Sequence, residues 1–514
     1  MALAAPAGWA QPAARQGQPV PPPETPGLPS LGDAGAMTTL QERKLGDSII
    51  RELYRDPDYL DDPILGEYVD GIWRRLLAAA RARGEMTPEM QDRYAWEILL
   101  GRDATVNAFS LPGGYFGLQT GLVGAVSSRD ELASVLAHEM SHVMQRHIAR
   151  MLGQQSRQTP LMLATIVLGA IAASRNPEMG AALATGGQAA ILQQQLKFSR
   201  DMEREADRIG YGVMTQAGFA PEGFVSMFGK LEAASRLNDN GDWPYLRSHP
   251  LTTERMADMQ QRQQNLPRGT PPPPDLEALM MAARARVESR PGVDMLRTWA
   301  KQPEQPGFAQ QPLATRAGAL YAAAIAGAEL RDLPRAQALA AQLAQAVAGD
   351  ARAARQARLL QAELALQAGQ NESALQWLAP LRPDSDAAPQ SQSGRAALLM
   401  RAQAQIHGGQ AAEAASALQP WLSDHPRDAG AWQALAQAWA AQGQTLRQLR
   451  AEGEAQMAHM NYAGAVDRWR AAQDFTRQQP SGSVDLIEAS IVDARLREGR
   501  ELLKQQQKDE KNMR

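Results

Sequence analysis

The 514-residue chain contains no cysteine, and only 5% of its residues are aromatic. Without thiols it can build neither a disulfide framework nor a thiolate zinc site, and it has no Cys nucleophile; a metal would have to be held by His and carboxylates. Charge of one sign is missing as well. Lys+Arg 53 against Asp+Glu 56 leave a formal net charge of −3, so there is no bulk positive field for a polyanion and no nucleic-acid partner is expected. Long apolar runs are absent: the richest stretch, Thr159 to Leu192, is interrupted by Arg175-Asn176-Pro177, whereas a membrane-spanning helix needs about 20 apolar residues. Its two arms, Leu161 to Ala173 and Met179 to Leu192, read as a helical hairpin beside the core, with peripheral contact to a membrane surface through 159–192 as the alternative. What remains is an ordinary globular balance, 44% hydrophobic and 21% charged, on a chain long enough for several domains.

Proline divides the chain. Eight prolines from Pro6 to Pro29 sit among Ala, Gly and Gln, a composition that cannot pack a core, so residues 1–38 are expected to be an extended, disordered leader. Met1 to Gln11 has the small-residue character of the end of a secretory signal but neither a basic start nor a full apolar stretch. It reads as a signal-peptide remnant or as a plain Ala/Pro-rich tail. Pro271 to Pro274 makes a stiff break. The expected organisation is therefore a first domain over 39–268, a linker over 269–274 and a second domain over 275–514.

In the first domain Thr39 and Glu42 form a capping-box pattern ahead of Leu45, Ile49 and Leu53 at helical spacing. Ile64, Leu65, Tyr68, Val69, Ile72, Trp73, Leu76 and Leu77 then mark the buried stripe of a second helix. Short apolar runs follow, Trp96 to Leu100, Asn107 to Leu111 and Tyr115 to Leu118, separated by Gly101-Arg102-Asp103 and Pro112-Gly113-Gly114; they predict a small sheet. Ser128 with Glu131 caps a helix from about Arg129 to Met151, and further helices run on to about Leu266. The second domain is dominated by Ala, Leu and Gln. Turn signals near Arg331, Gly369, Gly409 and Gly443 recur at steps of roughly 34 to 40 residues, close to a tetratricopeptide-like period, and Trp432, Leu435, Ala436 and Trp439 form its clearest repeat helix. The fold class is thus α+β, mostly α, with a small sheet, followed by an all-α helical solenoid whose concave surface suits protein partners.

Seven His serve the whole chain, and His138-Glu139-Met140-Ser141-His142 is an HExxH motif. Residues four apart share a helix face, so two imidazoles can bind one zinc while Glu139 reaches the water beside it. A third ligand must come from elsewhere. Gln145 and Ile148 stand where the extended motif would need Gly and His, which leaves His147 off register as a surface or supporting residue. Glu203 and Asp207 place two acids on one face of a later helix, where Glu203 can bind zinc and Asp207 can orient a ligand imidazole. Glu205 reads as a solvated neighbour.

Together, HEMSHVMQRH, the downstream EREADRIG, the preceding NAFSLPGG and the later SHPLTTER resemble the zinc metallopeptidases of family M48, in particular a soluble branch that joins the catalytic domain to tetratricopeptide repeats. The resemblance is motif-specific over roughly residues 39–266 and general beyond. It implies His138, His142 and Glu203 as ligands of one zinc ion per chain, Glu139 as general base and Asp207 in support. It also implies that Asn107, Ala108, Phe109, Ser110 and Gly113 belong to a substrate-binding edge strand, which would hold an extended peptide by main-chain hydrogen bonds. His249, in Ser248-His249-Pro250, is either a turn residue or a group near the metal, where it would fill the fourth position of a resting enzyme or donate to the oxyanion. The implied protein is a periplasmic, secreted zinc endopeptidase acting on unfolded or misfolded envelope proteins, with the outer-membrane assembly machinery recruited by the repeats. The competing expectation is a latent protease that serves as chaperone or scaffold. The repeats are expected to dock against the protease.

Overall fold

The computed structural model describes residues 37–153, 199–236, 242–264, 273–381, 394–480 and 485–513. Most of the expected leader, both apolar arms between 161 and 192 and the start of the Pro-rich linker lie outside the described residues.

The chain enters through helix α1 (Thr39–Arg55), whose cap is one residue earlier than the pattern suggested. Thr38 accepts a hydrogen bond from Gln41 N, and the Gln41 side chain accepts from Thr38 N, closing the box. Glu42 is occupied otherwise: it is buried and accepts from Arg146 Nε at 2.8 Å. Helix α2 (Pro63–Ala82) starts at Asp62, which accepts from Leu65 N, with Pro63 in the first turn. All eight positions of its predicted apolar stripe are buried.

Four strands form one mixed sheet: β1 (Tyr59–Leu60), β2 (Glu97–Gly101), β3 (Ala108–Leu111) and β4 (Tyr115–Gln119), in the order β1-β2-β4-β3. β3 and β4 are an antiparallel hairpin, β2 runs parallel to β4, and β1 pairs antiparallel with β2. The three expected strands are present. β1 escaped the sequence because two residues carry no alternation. The hairpin turn needs its glycine: Gly113 has φ +76°, and a Cβ there would lie 2.7 Å from the Arg43 Cα of α1. Aromatic side chains join α2 to the sheet, with Trp73 of α2 set edge-on to Phe116 of β4 and its indole Nε1 donating to Trp96 O.

Short helices α3 (Pro88–Arg93) and α4 (Thr120–Ala125) precede the central helix α5 (Arg129–Met144), which is buried at every position from Glu131 to Met144. The expected single helix to Met151 is broken here. Arg146 adopts φ +53°, α5 ends, and α6 (His147–Gly153) sets off in a new direction. Arg146 is held in that left-handed geometry by its backbone bond to Val143 O and by its side chain on Glu42. Helices α7 (Arg200–Gln216) and α8 (Glu222–Arg236) pack against α5, and short α9 (Tyr245–Ser248) and α10 (Thr253–Gln264) complete this part.

From Asp275 onward the described residues are helical: α11 (Leu276–Glu288), α12 (Val293–Lys301), α13 (Leu313–Glu329), α14 (Leu333–Ala346), α15 (Ala351–Gln367), α16 (Asn371–Leu378), α17 (Arg395–His407), α18 (Ala411–Asp424), α19 (Ala429–Ala441), α20 (Thr445–Ala458), α21 (Tyr462–Gln478) and α22 (Leu486–Met513). From α13 on, successive helices pack on one another. All four anticipated turns contain a left-handed residue: Arg331 at φ +67°, Gly369 at +71°, Gly409 at +80° and Gly443 at +68°. Met460, at +54°, makes a further such turn without a glycine to announce it. Small residues let the helices approach closely; Gly453 of α20, for instance, lies directly against the Trp469 indole of α21.

The array is docked on the sheet-bearing part rather than tethered to it. Helix α11 packs on α4, and one apolar cluster runs from Leu60 through Leu276 to Met400 across the Pro-rich break. Three arginines of the array grip acids at the start of α2. Arg284 bonds Asp62 and, through both terminal nitrogens, Glu363; Arg395 forks onto Asp61 and Asp428; Arg355 pairs with Glu67 at 2.6 Å. The His459 ring stacks on Tyr54, 4.6 Å between centroids.

Candidate active site

Helix α5 presents His138 and His142 one turn apart, and α7 brings the acids to them. The close approach of α7 depends on Gly210, where a Cβ would stand 3.1 Å from the Ala137 carbonyl and the His138 nitrogen of α5. Glu203 and Asp207, two turns and one turn earlier on α7, consequently face the histidines. His249, just after α9, closes the group from the other direction, with its ring stacked on Tyr245 at 4.5 Å.

His138, His142, Glu203 and His249 are all buried, and one potential donor atom from each lies within 4.8 Å of the others. His138 Nε2 is 3.0 Å from His142 Nε2, 3.3 Å from His249 Nδ1 and 3.5 Å from Glu203 Oε2. Glu203 Oε1 is 3.5 Å from His142 Nε2 and 2.9 Å from His249 Nδ1. These separations bracket the ~3.3 Å edge of a tetrahedron with bonds of about 2.0–2.1 Å, and the imidazole and carboxylate donors are those zinc takes when thiolates are absent. Glu139 lies beside the group, 1% exposed. Neither of its carboxylate oxygens makes a hydrogen bond, and Oε1 is 3.3 Å from His249 Nε2.

A buried ring of supports surrounds the four. Asp207 Oδ1 is 2.9 Å from His138 Nδ1, so Nε2 is the nitrogen left facing the group. Arg255 of α10 forks onto Asp207 at 2.6 and 2.8 Å, reaches Glu203 Oε2 at 2.7 Å, and donates to Pro250 O at 3.0 Å. It thereby ties the loop carrying His249 to both acids. Burial alone would raise the Glu203 carboxyl, but His249 and His138 hold it well below the usual range. Asp207 is likewise lowered, its burial outweighed by Arg255. Burial works against protonation of His138, yet its bonds to Asp207 and Glu203 raise it to about 9, whereas burial and the adjacent His138 push His142 well down. The lowered acids and the lowered His142 favour the forms that ligation requires, whereas His138 would have to give up its proton to a bound metal.

The sequence left His147 open between a surface and a supporting place, took Glu205 for a solvated neighbour and did not single out Arg255. His147 is 0% exposed rather than superficial, with Nδ1 2.8 Å from His142 Nδ1 and Nε2 3.0 Å from Glu205 Oε2. Glu205 is accordingly a partner and not a solvated neighbour. Arg255 ends the SHPLTTER stretch, six positions after His249, and only that adjacency in sequence hinted at it. On the substrate side, β3 is the outer strand of the sheet and packs against α5. Asn107 and Ala108 are buried there, Phe109 packs over Gly117, and the buried Ser110 hydroxyl makes no hydrogen bond. Gly113 is in the turn against α1.

Residues 72–263 match the model of Peptidase family M48. The chain is similar to the beta-barrel assembly-enhancing protease of Escherichia coli (strain K12), with 30% identity over 449 residues that cover 85% of each chain. A Vibrio cholerae relative described in the same terms is 34% identical over 242 residues, about half of either chain at 47% and 48%. The mitochondrial metalloendopeptidase OMA1 of Saccharomyces cerevisiae is 27% identical over 196 residues, 37% of this chain and 54% of that one. A solved tetratricopeptide repeat protein from Parabacteroides merdae matches at 13% identity and TM-score 0.27 over 53% of this chain and 98% of that one, a score on which nothing about the repeats rests.

Proposed function

Because the chain belongs to peptidase family M48, and is a metallopeptidase with a buried metal-binding group of His138, His142, Glu203 and His249, we propose that it is a zinc-dependent endopeptidase held in a resting state by His249. The observation that carries this reading is the convergence of four donor atoms beside Glu139, a buried carboxylate without a hydrogen bond. His138, His142 and Glu203 would hold one zinc ion. When bound, zinc polarises the scissile carbonyl and makes water more acidic. Glu139 takes the proton of the attacking water and returns it to the leaving amine. Asp207 keeps the His138 ring oriented, and Arg255 keeps Asp207 and Glu203 in place.

His249 contacts Glu203 with one nitrogen and Glu139 with the other, which supports the fourth-ligand role over that of an oxyanion donor. In this position it occupies both the ligand group and the base, so turnover requires its loop to withdraw. That contact favours latency as a regulated state of a working protease. The outer strand β3 offers main-chain groups to an extended peptide through Asn107 to Ser110, a mode indifferent to sequence and suited to unfolded chains. Gly113 would shape the turn at its end.

The natural setting we propose is the periplasm, with misfolded or stalled envelope proteins as substrates and outer-membrane protein assembly as the process served. The names of the Escherichia coli and Vibrio cholerae relatives support it, as does a docked helical array free to recruit protein partners. No helix among the described residues is long and apolar enough to cross a membrane. Incubating the full chain with unfolded casein tests the activity. Cleavage should disappear on chelation and return with zinc; cleavage that survives complete metal removal would refute the reading.

A further inference from the structure

The residues His147 and Glu205 are used by nothing in the account above, yet they are built into the site. In an uninterrupted α-helix, five residues advance about 140° beyond a full turn, so position 147 would point well away from position 142. The left-handed Arg146 removes that constraint. The turn into α6 brings the His147 ring against His142, 4.9 Å between centroids at 74°, with Nδ1 facing Nδ1 at 2.8 Å and no solvent exposure of His147. The far nitrogen of His147 meets Glu205 Oε2 at 3.0 Å, and Arg150 lies 3.5 Å from the same oxygen.

The hydrogen bonds close in one direction only. A carboxylate accepts and does not donate, so the His147 ring, neutral in its buried place, must carry its proton on Nε2, which leaves Nδ1 as an acceptor. His142 must then donate from Nδ1, and its Nε2 retains the lone pair. That Nε2 is the atom 3.0 Å from His138 Nε2 and 3.5 Å from Glu203 Oε1. In the reverse arrangement His142 would hold its proton on the metal-facing nitrogen, and Glu205 would confront a lone pair. We propose that His147 and Glu205 are positioning residues that fix the ring orientation and tautomer of His142 for zinc, as Asp207 does directly for His138. The two ligand histidines are thus served by unequal devices, one carboxylate in contact and one acting through an interposed imidazole. The inference rests on the reading of His142 as a zinc ligand.

Zinc affinity of the full-length protein, measured by competition with a chromophoric chelator, tests it without reference to turnover. His147→Leu should weaken zinc binding about 10- to 100-fold, the range typical for loss of an outer partner of a metal-ligating His. Glu205→Gln should weaken it less, and the double variant no more than His147→Leu alone, because both act through one chain of bonds. His147→Gln, which can accept from His142 and donate to Glu205, should restore most of the affinity. The zinc-dependent rise in Tm should shrink in His147→Leu while the Tm of the zinc-free protein changes little. Affinity within twofold of wild type in both His147→Leu and Glu205→Gln would overturn the proposal, as would additive losses in the double variant. If His147→Leu does not fold, the half-exposed Glu205→Gln substitution decides alone. His142→Ala separates the levels: unchanged zinc affinity there would overturn the ligand assignment itself, whereas loss of zinc in His142→Ala with no effect of the other variants would overturn only the positioning role.

Discussion

The metal-binding group and the arginine clasp between the two halves both set carboxylates among basic groups, yet their polar atoms are satisfied differently. In the clasp Arg284 serves Asp62 and Glu363, and Arg395 serves Asp61 and Asp428, each through several hydrogen bonds. Beside the metal-binding group, both oxygens of the buried Glu139 make none. A closed network of buried charge fixes how two bodies sit together. Buried acceptors left over in a cluster of imidazoles belong to chemistry. The comparison makes a double claim: changes in the first region should cost stability and spare zinc, and changes in the second should cost zinc or turnover and spare the fold.

The largest effect is expected from Glu203→Ala or His142→Ala, each of which removes a ligand. Casein cleavage should fall below detection and zinc content well below one equivalent, while the far-UV circular dichroism stays that of wild type. Full occupancy in either variant would break the distinction at once. Arg284→Ala leaves the buried Asp62 and the part-exposed Glu363 without their cation, and should cost about 3 kcal/mol of stability, the lower end for breaking a buried pair, read as a lowered urea midpoint, with zinc per chain unchanged at low denaturant. Loss of zinc there would mean that the two regions are coupled. His249→Ala should raise basal casein cleavage about tenfold, equivalent to releasing a resting state favoured by about 1.4 kcal/mol. A fall of about 10²–10³ would instead mark His249 as a transition-state donor. The smallest change is expected from Gly453→Ala in the array, where the added methyl meets the Trp469 ring: a loss of about 1–3 kcal/mol in thermal unfolding, with cleavage unaltered.

How much of this was legible in the sequence depended on whether the feature was local. The stripe of α2, the β3–β4 hairpin and the four turns at Arg331, Gly369, Gly409 and Gly443 follow from periodicity and from backbone geometry that few residues tolerate. The HExxH spacing is local too, as is the Glu203/Asp207 pair. By contrast, the break at Arg146 is a non-glycine residue in a left-handed conformation, stabilised by Glu42 about a hundred positions earlier, and nothing in the surrounding sequence announces it. Without that break His147 stayed open between a surface and a supporting role, and Glu205 was dismissed. The clasp was equally hidden, since Asp62, the cap of α2, meets an Arg284 that lies more than two hundred residues away in the chain. The domain boundary expected at the prolines was argued from composition alone, and apolar packing joins α4 to α11 from either side of it.

The central claim is that Glu139 does the proton transfer at a zinc held by its neighbours, and Glu139→Gln isolates that role because it keeps the shape and removes the base. Zinc by elemental analysis and casein cleavage are to be measured on the same preparations of wild type and variant. The account predicts close to one zinc per chain in both proteins and cleavage only by wild type, the variant being slower by about 10²–10⁴ or more. Undiminished cleavage by Glu139→Gln, or wild-type protein active with far less than half an equivalent of metal, would contradict it.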